Sequence, residues 1–418
     1  MSTVARARTA GIALALGTLG CAPALATNGY YAAGYGIKAE GVAGAGIAFP
    51  QDSLTIATNP AGLTGVADGL DLGIDFFRPK RQATLVQGGG AQSFDGDGTS
   101  TFYVPAIGYS RHVSTHLAAG IALFGNGGLQ TDYASNPFAR FGATGSAGVD
   151  LQQAFLSPAL AYEVAPGHSL GLAVNLGYQK FHAKGVGLFA DFSSAPGAVS
   201  DNGYDNATGI GARIGWISHL NDFIAVGATW ESKTKFGKFK KYAGLFADQG
   251  GFDAPSTYGV GLALTPTKDW TIALDWQQIE YSKVSSVGDS IASLFSGVPL
   301  GASHGPGFGW RDVSVIKLGA AYQVNERWSV RAGASTNRQP IPGGETFFNI
   351  LAPGVVETHF TAGLSWRPNA MNEINLSVLH APKQKVDGSG SIPAAFGGGE
   401  SNISLEETSI GIGWSHRL

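Results

Sequence analysis

The sequence carries little charge. Its 27 Lys+Arg and 30 Asp+Glu together make up 14% of 418 residues, against about 25% in an ordinary soluble domain. Disordered chains are rich in charge and poor in aromatics, whereas this chain has 8 Trp, 13 Tyr and 23 Phe, so disorder is excluded. The formal net charge of -3 and the lack of a long basic run argue against a nucleic-acid partner.

Cysteine is almost missing as well, since Cys21 is the only one. It lies in a segment typical of a secretory signal peptide, in which two arginines precede a short apolar stretch and Ala24–Ala26 forms a small-x-small cleavage site. Removal of residues 1–26 would leave a mature chain without cysteine, which can be neither a disulfide scaffold nor a thiol enzyme. The alternative is a lipoprotein acylated at Cys21, for which Thr18-Leu19-Gly20 is a poor lipobox.

Long apolar runs are missing too: no segment offers 18 consecutive apolar residues, so the sequence predicts no membrane-spanning helix. For an exported protein this leaves a soluble secreted fold or a membrane β-barrel. The sequence has instead an alternation with a period of two, which is the pattern of strands with one apolar face. In Trp328–Ser335, for example, the even positions are apolar and the odd positions are polar or small. About fourteen such segments begin near residues 69, 101, 116, 152, 168, 208, 222, 256, 269, 312, 327, 358, 372 and 405.

The connections decide between the two folds. Short connections, such as His112–Thr115 and Ala165–His168, alternate with long ones, such as 125–150 and 232–255, as periplasmic turns and extracellular loops do in outer-membrane barrels. Five tryptophans beside the short turns or the C-terminus would form an aromatic girdle at one interface: Trp216, Trp270, Trp328, Trp366 and Trp414. We predict an all-β fold, a transmembrane antiparallel β-barrel of about 14 strands in a Gram-negative outer membrane, rather than a soluble β-protein.

Residues 27–67 precede the first predicted strand and are rich in glycine and other small residues. Glycines allow close contact between backbones, so Gly44, Gly46 and their neighbours suit a segment that folds back into the lumen of a barrel. We therefore divide the chain into a signal peptide (1–26), an N-terminal hatch (27–67) and a barrel with long extracellular loops (68–418). A flexible periplasmic tail is the alternative for the second of these.

Several motifs point to one family. The triplet Asn59-Pro60-Ala61 is similar to the hatch motif of the FadL/TodX outer-membrane transporters, and further similarity lies in Tyr242–Asp253, Gly307–Asp312 and Trp328–Gly333. The sequence therefore resembles this family, which transports long-chain fatty acids and other hydrophobic compounds, over essentially the whole mature chain. The resemblance implies a fourteen-stranded barrel, a lumen closed by the hatch, and passive delivery of the ligand sideways into the membrane.

The long connections 182–207 and 232–255 are unusually apolar for exposed loops, and an exposed apolar patch normally marks a binding site. In the family, loops at these positions form a capture groove. The residues predicted for ligand capture are Phe189, Phe192, Phe236, Phe239, Lys240, Tyr242, Leu245 and Phe246. The lysines among 233–241 could attract a ligand carboxylate, or they could bind lipopolysaccharide phosphates or simply be solvated.

The third predicted strand meets a glycine cluster at Gly125, Asn126 and Gly127. Such clusters break strand pairing and mark bulges or kinks, and in the family a kink in the third strand opens the wall near the hatch. The alternative is that the cluster is only the start of a loop.

The predicted function is passive uptake of hydrophobic compounds, with long-chain fatty acids first and aromatic or alkane hydrocarbons as the alternative. A general diffusion porin is a further alternative, and a surface adhesin is a third class. The G-x-S-x-G match at Gly167–Gly171 lies on a short turn rather than in the strand–turn–helix context of a nucleophile elbow, so we predict no enzyme. The 9 histidines show no metal-ligand spacing, so we predict no metal, and we predict no cofactor. The expected partners are the hydrophobic ligand, outer-membrane lipids and lipopolysaccharide, with the protein as a monomer.

Overall fold

A computed structural model describes residues 28–418; the predicted signal peptide and Cys21 lie outside the described residues. Among the described residues, fourteen long strands build one sheet. They are β1 (Gly69–Gln87), β2 (Phe102–His112), β3 (Leu117–Tyr133), β4 (Ala147–Ala165), β5 (His168–Lys184), β6 (Asp205–Asn221), β7 (Ile224–Glu231), β8 (Thr257–Thr267), β9 (Trp270–Ile279), β10 (Val313–Asn325), β11 (Trp328–Asn337), β12 (Thr358–Asn369), β13 (Asn372–Val386) and β14 (Glu400–Arg417).

The sheet closes into a barrel. Each strand pairs in antiparallel fashion with the next, and β1 pairs with β14 from Gly69 opposite Arg417 to Val86 opposite Glu400. Two short strands are added in the connections, Gly90–Asp95 beside β1 and Lys235–Phe236 beside β6. The predicted fourteen-stranded barrel is confirmed.

The outward face of the barrel is apolar around its middle and carries aromatic rings at its edges. Trp328 and Trp366 stack on neighbouring strands with their ring centroids 6.0 Å apart, and Trp270 stacks on Tyr322 at 4.6 Å. Trp216 and Trp414 also face outward. All five predicted girdle tryptophans are thus exposed beside the short turns, where the aromatic belt of a membrane protein lies.

Several strands are longer at their extracellular ends than the sequence predicts, as three of them show. β4 begins at Ala147 rather than near 152, β14 begins at Glu400 rather than near 405, and β3 continues to Tyr133, which leaves 134–146 as the connection instead of 125–150. The reason is that the apolar face changes sides above the membrane: Val149 and Leu151 face inward and are buried, unlike the outward apolar residues lower on β4. The upper strands and the loops above them therefore enclose the largest buried apolar cluster of the described residues.

Helices are few and short, and among residues 28–418 none is long and apolar enough to cross a bilayer. The α-helices are α1 (Ile37–Glu40), α2 (Ser285–Gly288) and α3 (Ala292–Phe295), and Ala247–Gly250 forms a turn with two left-handed residues. Two 3-10 helices, Ser53–Ala57 and Pro60–Gly65, precede β1. The others lie in the loops, at Ala139–Phe141, Gly187–Phe192, Pro196–Ala198, Lys240–Tyr242, Tyr281–Lys283, Gly343–Glu345, Phe348–Ile350 and Ala394–Phe396.

Candidate functional site: a luminal segment and a gap in the wall

Residues 28–67, here called the luminal segment, pack against inward-facing residues of the barrel and are almost entirely buried. Ile37 on α1 fits between glycines of β1 and β14. A Cβ atom placed on Gly73, Gly411 or Gly413 would lie within 3.0 Å of the Ile37 side chain. A methyl group at these wall positions would push on the Ile37 side chain, so the glycines let the segment pack close against the wall.

The Asn59-Pro60-Ala61 triplet is buried against β5 and β6. Asn59 caps the helix Pro60–Gly65, since its Oδ1 accepts a hydrogen bond from Ala61 N at 3.1 Å, and its Nδ2 donates to the carbonyl oxygens of Ile47 at 2.7 Å and Trp216 at 3.1 Å. The wall opposite is bare backbone: a Cβ on Gly215 would lie 1.8 Å from Asn59 Oδ1. The asparagine thus joins two parts of the luminal segment to the barrel.

Of the two predicted hatch glycines, Gly44 serves a close approach of the segment to the chain around it, whereas a Cβ on Gly46 would meet no atom nearer than 3.6 Å. Gly44 has a positive φ of 74°, and a Cβ there would lie 1.9 Å from Ala33 O, so no other residue fits. The backbone N–H groups of Gly46 and Ile47 donate to Asp275 Oδ2 on β9 at 2.8 and 2.9 Å. Nothing in the sequence pattern shows that the Asp275 carboxylate binds the backbone of the luminal segment.

The periplasmic end of the segment is polar. Lys38 Nζ pairs with Glu373 on β13 at 2.7 Å, Ser53 Oγ donates to Asp71 on β1 at 2.5 Å, and Arg331 Nε donates to Gln51 at 2.7 Å. Burial, with a smaller effect of the Asp71 carboxylate, raises the pKa of Asp52 to about 7. A hydrophobic compound that moved straight down the lumen would have to displace this charged floor from its own partners, which is costly.

A gap opens in the wall between β2 and β3. The two strands pair only from Ile107 opposite Leu123 to His112 opposite Ala118. Above this point they diverge, since β2 follows β1 as far as Phe102 while β3 follows β4 as far as Tyr133. The chains meet again where Gly98 N donates to Asp132 O at 2.9 Å. The gap thus lies beside β3 between Leu123 and Asp132.

The glycine cluster lies at this gap. Gly125 pairs with Ala154 and Gly127 with Gln153, so Asn126 is left out of the register between β3 and β4. The extra residue bends β3 away from β2, and Pro105 at the facing edge of β2 has no N–H with which to extend the pairing. The cluster is therefore part of a strand, not the start of a loop.

Backbone of the luminal segment occupies the gap. Gly128 N donates to Tyr30 O at 3.1 Å, and Ala32 N donates to Asn126 O at 3.3 Å. Tyr30 is fixed from the other side by the loop residue Tyr281, whose hydroxyl accepts from Tyr30 N at 3.1 Å and donates to Asn28 O. Burial raises the pKa of Tyr281 well above its ordinary value, so the hydroxyl stays protonated and serves both bonds.

The side chains around the gap are apolar. Phe77 on β1 and Phe102 and Val104 on β2 pack with Ala32 of the luminal segment in one buried cluster. On the other side, Phe124 of β3 contacts Tyr35 edge to face at 5.0 Å between centroids. Just above lies a small apolar cleft lined by Phe77, Pro79, Arg81, Leu129, Gln130, Pro353, Gly354 and Leu405.

The predicted capture residues do not form an exposed apolar surface. Four of them are buried: Phe189, Phe239, Tyr242 and Phe246. Phe181 on β5 lies at the centre of the last three, at centroid distances of 5.6 Å, 4.8 Å and 4.6 Å respectively. The prediction of exposure is wrong, because these loops fold over the barrel mouth and their apolar side chains leave water together.

The other capture residues are dispersed. Phe192 packs against Phe396 at 5.6 Å, Phe236 points inward and stacks on Phe155 at 6.3 Å, and Lys240 is exposed. Leu245 lines a narrow apolar cleft of about 30 Å³ under the loops, together with Phe189 and Phe246. The remaining lining residues are Val149, Phe181, Ser286, Leu300, Pro306, Gly307, Phe308, Phe348 and Leu351.

Comparison with known proteins assigns this architecture to a protein family. The sequence profile of the family described as outer membrane protein transport protein (OMPP1/FadL/TodX) matches residues 20–391. The chain belongs to this family. It is therefore an outer-membrane protein of a family that transports hydrophobic compounds, as the sequence motifs indicated. No curated protein is similar enough in sequence to match the chain.

Solved structures share the fold of this FadL/TodX family member at low sequence identity. The Pseudomonas putida toluene transporter TodX superposes with a TM-score of 0.69 and 18% identity, over 92% of this chain and 99% of that one. A Pseudomonas aeruginosa FadL homologue superposes with a TM-score of 0.72 and 14% identity, over 93% of this chain and 99% of that one. The Ralstonia pickettii toluene transporter TbuX superposes with a TM-score of 0.64 and 17% identity, over 92% of this chain and 99% of that one. The similarity to all three extends along nearly the whole chain.

The lumen of this family member offers no catalytic arrangement at the G-x-S-x-G match. Ser169 faces inward at the start of β5, and its Oγ lies 2.7 Å from Thr64 Oγ1 of the luminal segment, while His168 Nδ1 bonds to Ser218 Oγ at 2.8 Å. Arg213 pairs with Glu231 at 2.7 Å, and Lys317 Nζ donates to Ala33 O at 2.9 Å. Among the described residues no group of three His, Cys, Asp or Glu side chains is placed to hold a metal ion.

Proposed function

We propose that the protein takes up hydrophobic compounds passively across the outer membrane and releases them sideways into the bilayer. The observation that carries this proposal is the gap between β2 and β3, which is lined by apolar side chains and occupied by two backbone hydrogen bonds of the luminal segment rather than by a strand. The floor of the lumen, by contrast, is held by ion pairs. Passage through the gap costs an apolar molecule less free energy than passage through the floor, because no buried charge has to leave its partner at the gap.

The proposed route has three steps. A compound first enters between the apolar side chains of Phe189, Leu245 and Phe246, which move apart to receive it and shield it from water. It then passes the smaller cleft at Leu129 and Gly354, next to the gap. Finally, residues 30–32 of the luminal segment move away from β3, and the compound passes between the strands. In this proposal the luminal segment acts as a hatch and Gly125–Gly127 as a wall kink. One copy of the chain supplies the whole route, so we propose a monomer.

We propose uncharged hydrocarbons as the first class of cargo. The sequence argument for fatty acids depended on lysines near the capture aromatics, but Phe236 and Phe239 turn inward while Lys235, Lys238 and Lys240 are exposed. Long-chain fatty acids are the second candidate, because the cations Arg213 and Lys317 line a small luminal cavity; a carboxylate there would compete with Glu231, which pairs with Arg213. No covalent step is part of either proposal, so the protein is proposed to be a channel and not an enzyme.

Replacement of Asn59 by Ala together with Pro60 by Gly tests the hatch. The variant leaves Ala61 N and Ile47 O without their buried partners, which costs about 1–3 kcal/mol for each group, and so releases residues 59–61 from β6. The contacts of Tyr30 and Ala32 in the gap remain, so the segment loses the anchor against which residues 30–32 move while the gap stays blocked. We expect uptake of radiolabelled toluene and oleate by cells to fall several-fold, with the same amount of folded barrel in the membrane. The faster substrate in the parent protein identifies the cargo class.

Asn206→Ala on the exposed face of β6 is the matched control and should leave uptake unchanged. Full uptake of both compounds by the Asn59 and Pro60 variant would remove the hatch from the mechanism.

A further inference from the structure

The loop after β7 forms a ribbon with an aromatic side and a basic side. Residues 233–241, here called the basic ribbon, read Lys-Thr-Lys-Phe-Gly-Lys-Phe-Lys-Lys. Phe236 points into the barrel, where a Cβ on Gly177 would lie 2.5 Å from its ring, and Phe239 is fully buried. Lys235 and Lys238 are exposed on the opposite side. The lysines therefore face away from the lumen and from the apolar cleft.

The strand register fixes the height of the basic ribbon on the barrel. Lys235 pairs with Ile210 of β6, and Gly237 N donates to Thr208 O at 3.0 Å. Ile210 is 60% exposed and is the last outward apolar residue of β6 toward the extracellular side. The ribbon thus begins at the upper edge of the lipid-facing band and rises from it, which is the level of lipid headgroups in the outer leaflet.

The ribbon continues around Tyr204. Lys241 Nζ donates to Tyr204 O at 2.8 Å, and Lys180 Nζ of β5 lies 3.7 Å from the centre of the Tyr204 ring. Tyrosine and lysine side by side are typical of the membrane interface, since both have an apolar body and a polar end.

Among the described residues, the ribbon lysines form no side-chain ion pair, although two carboxylates bond to the ribbon backbone: Asp253 Oδ1 accepts from Phe236 N and Asp205 Oδ2 accepts from Lys241 N, both at 2.9 Å. Other lysines on the extracellular half pair with carboxylates: Lys80 with Glu406, Lys184 with Asp132, Lys283 with Glu280 and Lys385 with Asp387. In the part of the chain that the structure describes, no carboxylate oxygen lies within 4.0 Å of Nζ in the five ribbon lysines or in Lys180. Like charges held this close together favour a polyanionic partner.

We propose that the basic ribbon is a binding site for the phosphate groups of lipopolysaccharide, the phosphorylated lipid of the outer leaflet. The acyl chains would lie on the apolar band at Ile210 and Tyr178, and the phosphates would meet Lys235, Lys238 and Lys240. The site is separate from the proposed transport route, because the aromatic side of the ribbon lies between the lysines and the lumen.

The test compares two triple variants of the full-length protein by native mass spectrometry in detergent. The ribbon variant is Lys235→Gln, Lys238→Gln and Lys240→Gln. The control is Lys80→Gln, Lys184→Gln and Lys385→Gln, which removes the same charge from lysines that have carboxylate partners and no contact with the ribbon. The probes are lipopolysaccharide with bisphosphorylated lipid A, the same lipid after enzymatic dephosphorylation, and phosphatidylglycerol.

We expect the ribbon variant to bind bisphosphorylated lipopolysaccharide about tenfold more weakly or worse, because each lysine near an anionic headgroup contributes to affinity. The control variant should bind like the parent, and added salt should weaken the parent toward the ribbon variant. The proposal is overturned if both variants weaken equally, or if the parent binds the dephosphorylated lipid or phosphatidylglycerol as tightly. Unchanged heat-dependent mobility in electrophoresis shows that each variant is a folded barrel.

Discussion

Deletion of Asn126 is expected to reduce the uptake of hydrophobic compounds to the rate of cells that lack the protein. Asn126 is the one residue of β3 that has no opposite residue on β4, so its removal joins Gly125 and Gly127 in a continuous ladder. A straight β3 can follow β2 beyond Leu123 and close the wall. Residues above and below the deletion keep their partners on β4, so the barrel itself should assemble normally.

The matched control is the deletion of Lys383. The register of β13 against β14 also shifts, between Ala381 and Gln384, and removal of the exposed Lys383 removes that irregularity on a part of the wall with no gap. We expect its uptake to equal that of the parent. Uptake of toluene or oleate at the parental rate after deletion of Asn126, with equal amounts of folded protein, would contradict the proposed exit.

Gly127→Ala is expected to have the opposite effect and to speed uptake. A Cβ on Gly127 would lie 2.0 Å from Tyr30 O, so the methyl group pushes the luminal segment out of the gap and is too small to fill it. The variant loses two hydrogen bonds, from Gly128 N and from Ala32 N. At about 1 kcal/mol each, their loss shifts the equilibrium toward the open gap roughly tenfold or more.

Initial uptake rates measured at low concentrations of labelled toluene check this prediction, with sensitivity to hydrophobic antibiotics as a second readout. Gly187→Ala is the control, since a Cβ on Gly187 meets no atom within 4 Å and should change neither measurement. A slower rate for Gly127→Ala than for the parent would mean that contact between Tyr30 and β3 helps the passage instead of blocking it.

The sequence predicts the barrel well because a strand in lipid has one apolar face for its whole membrane-spanning length. Leu170, Leu172 and Leu176 on β5 show the pattern directly, and the structure exposes all three. The pattern fails where the strands leave the membrane, since Val149 and Leu151 then face a protein core instead of lipid. The predicted ends of β3, β4 and β14 are therefore less accurate than their middles.

The site was harder to predict, because its contacts join residues that are distant in the sequence. The motif Asn59-Pro60-Ala61 was visible, but its partner Trp216 contributes only a backbone carbonyl, which leaves no trace in sequence. Tyr30 and Tyr281 likewise meet across 251 positions. The aromatic residues of the two apolar loops were predicted to capture ligand. Composition cannot tell whether such side chains face water or pack against one another. In the structure most of them pack against one another.

The central proposal is that cargo leaves through the wall and not through the floor. Its most direct test is photolabelling of the protein in outer-membrane vesicles with a diazirine derivative of an alkylbenzene, followed by mass-spectrometric mapping of the labelled residues. The account predicts label at Phe102, Val104 and Phe124 beside the gap, and loss of that label when Asn126 is deleted. Label at the polar floor, around Gln51 and Asp71, without label at the gap would contradict it.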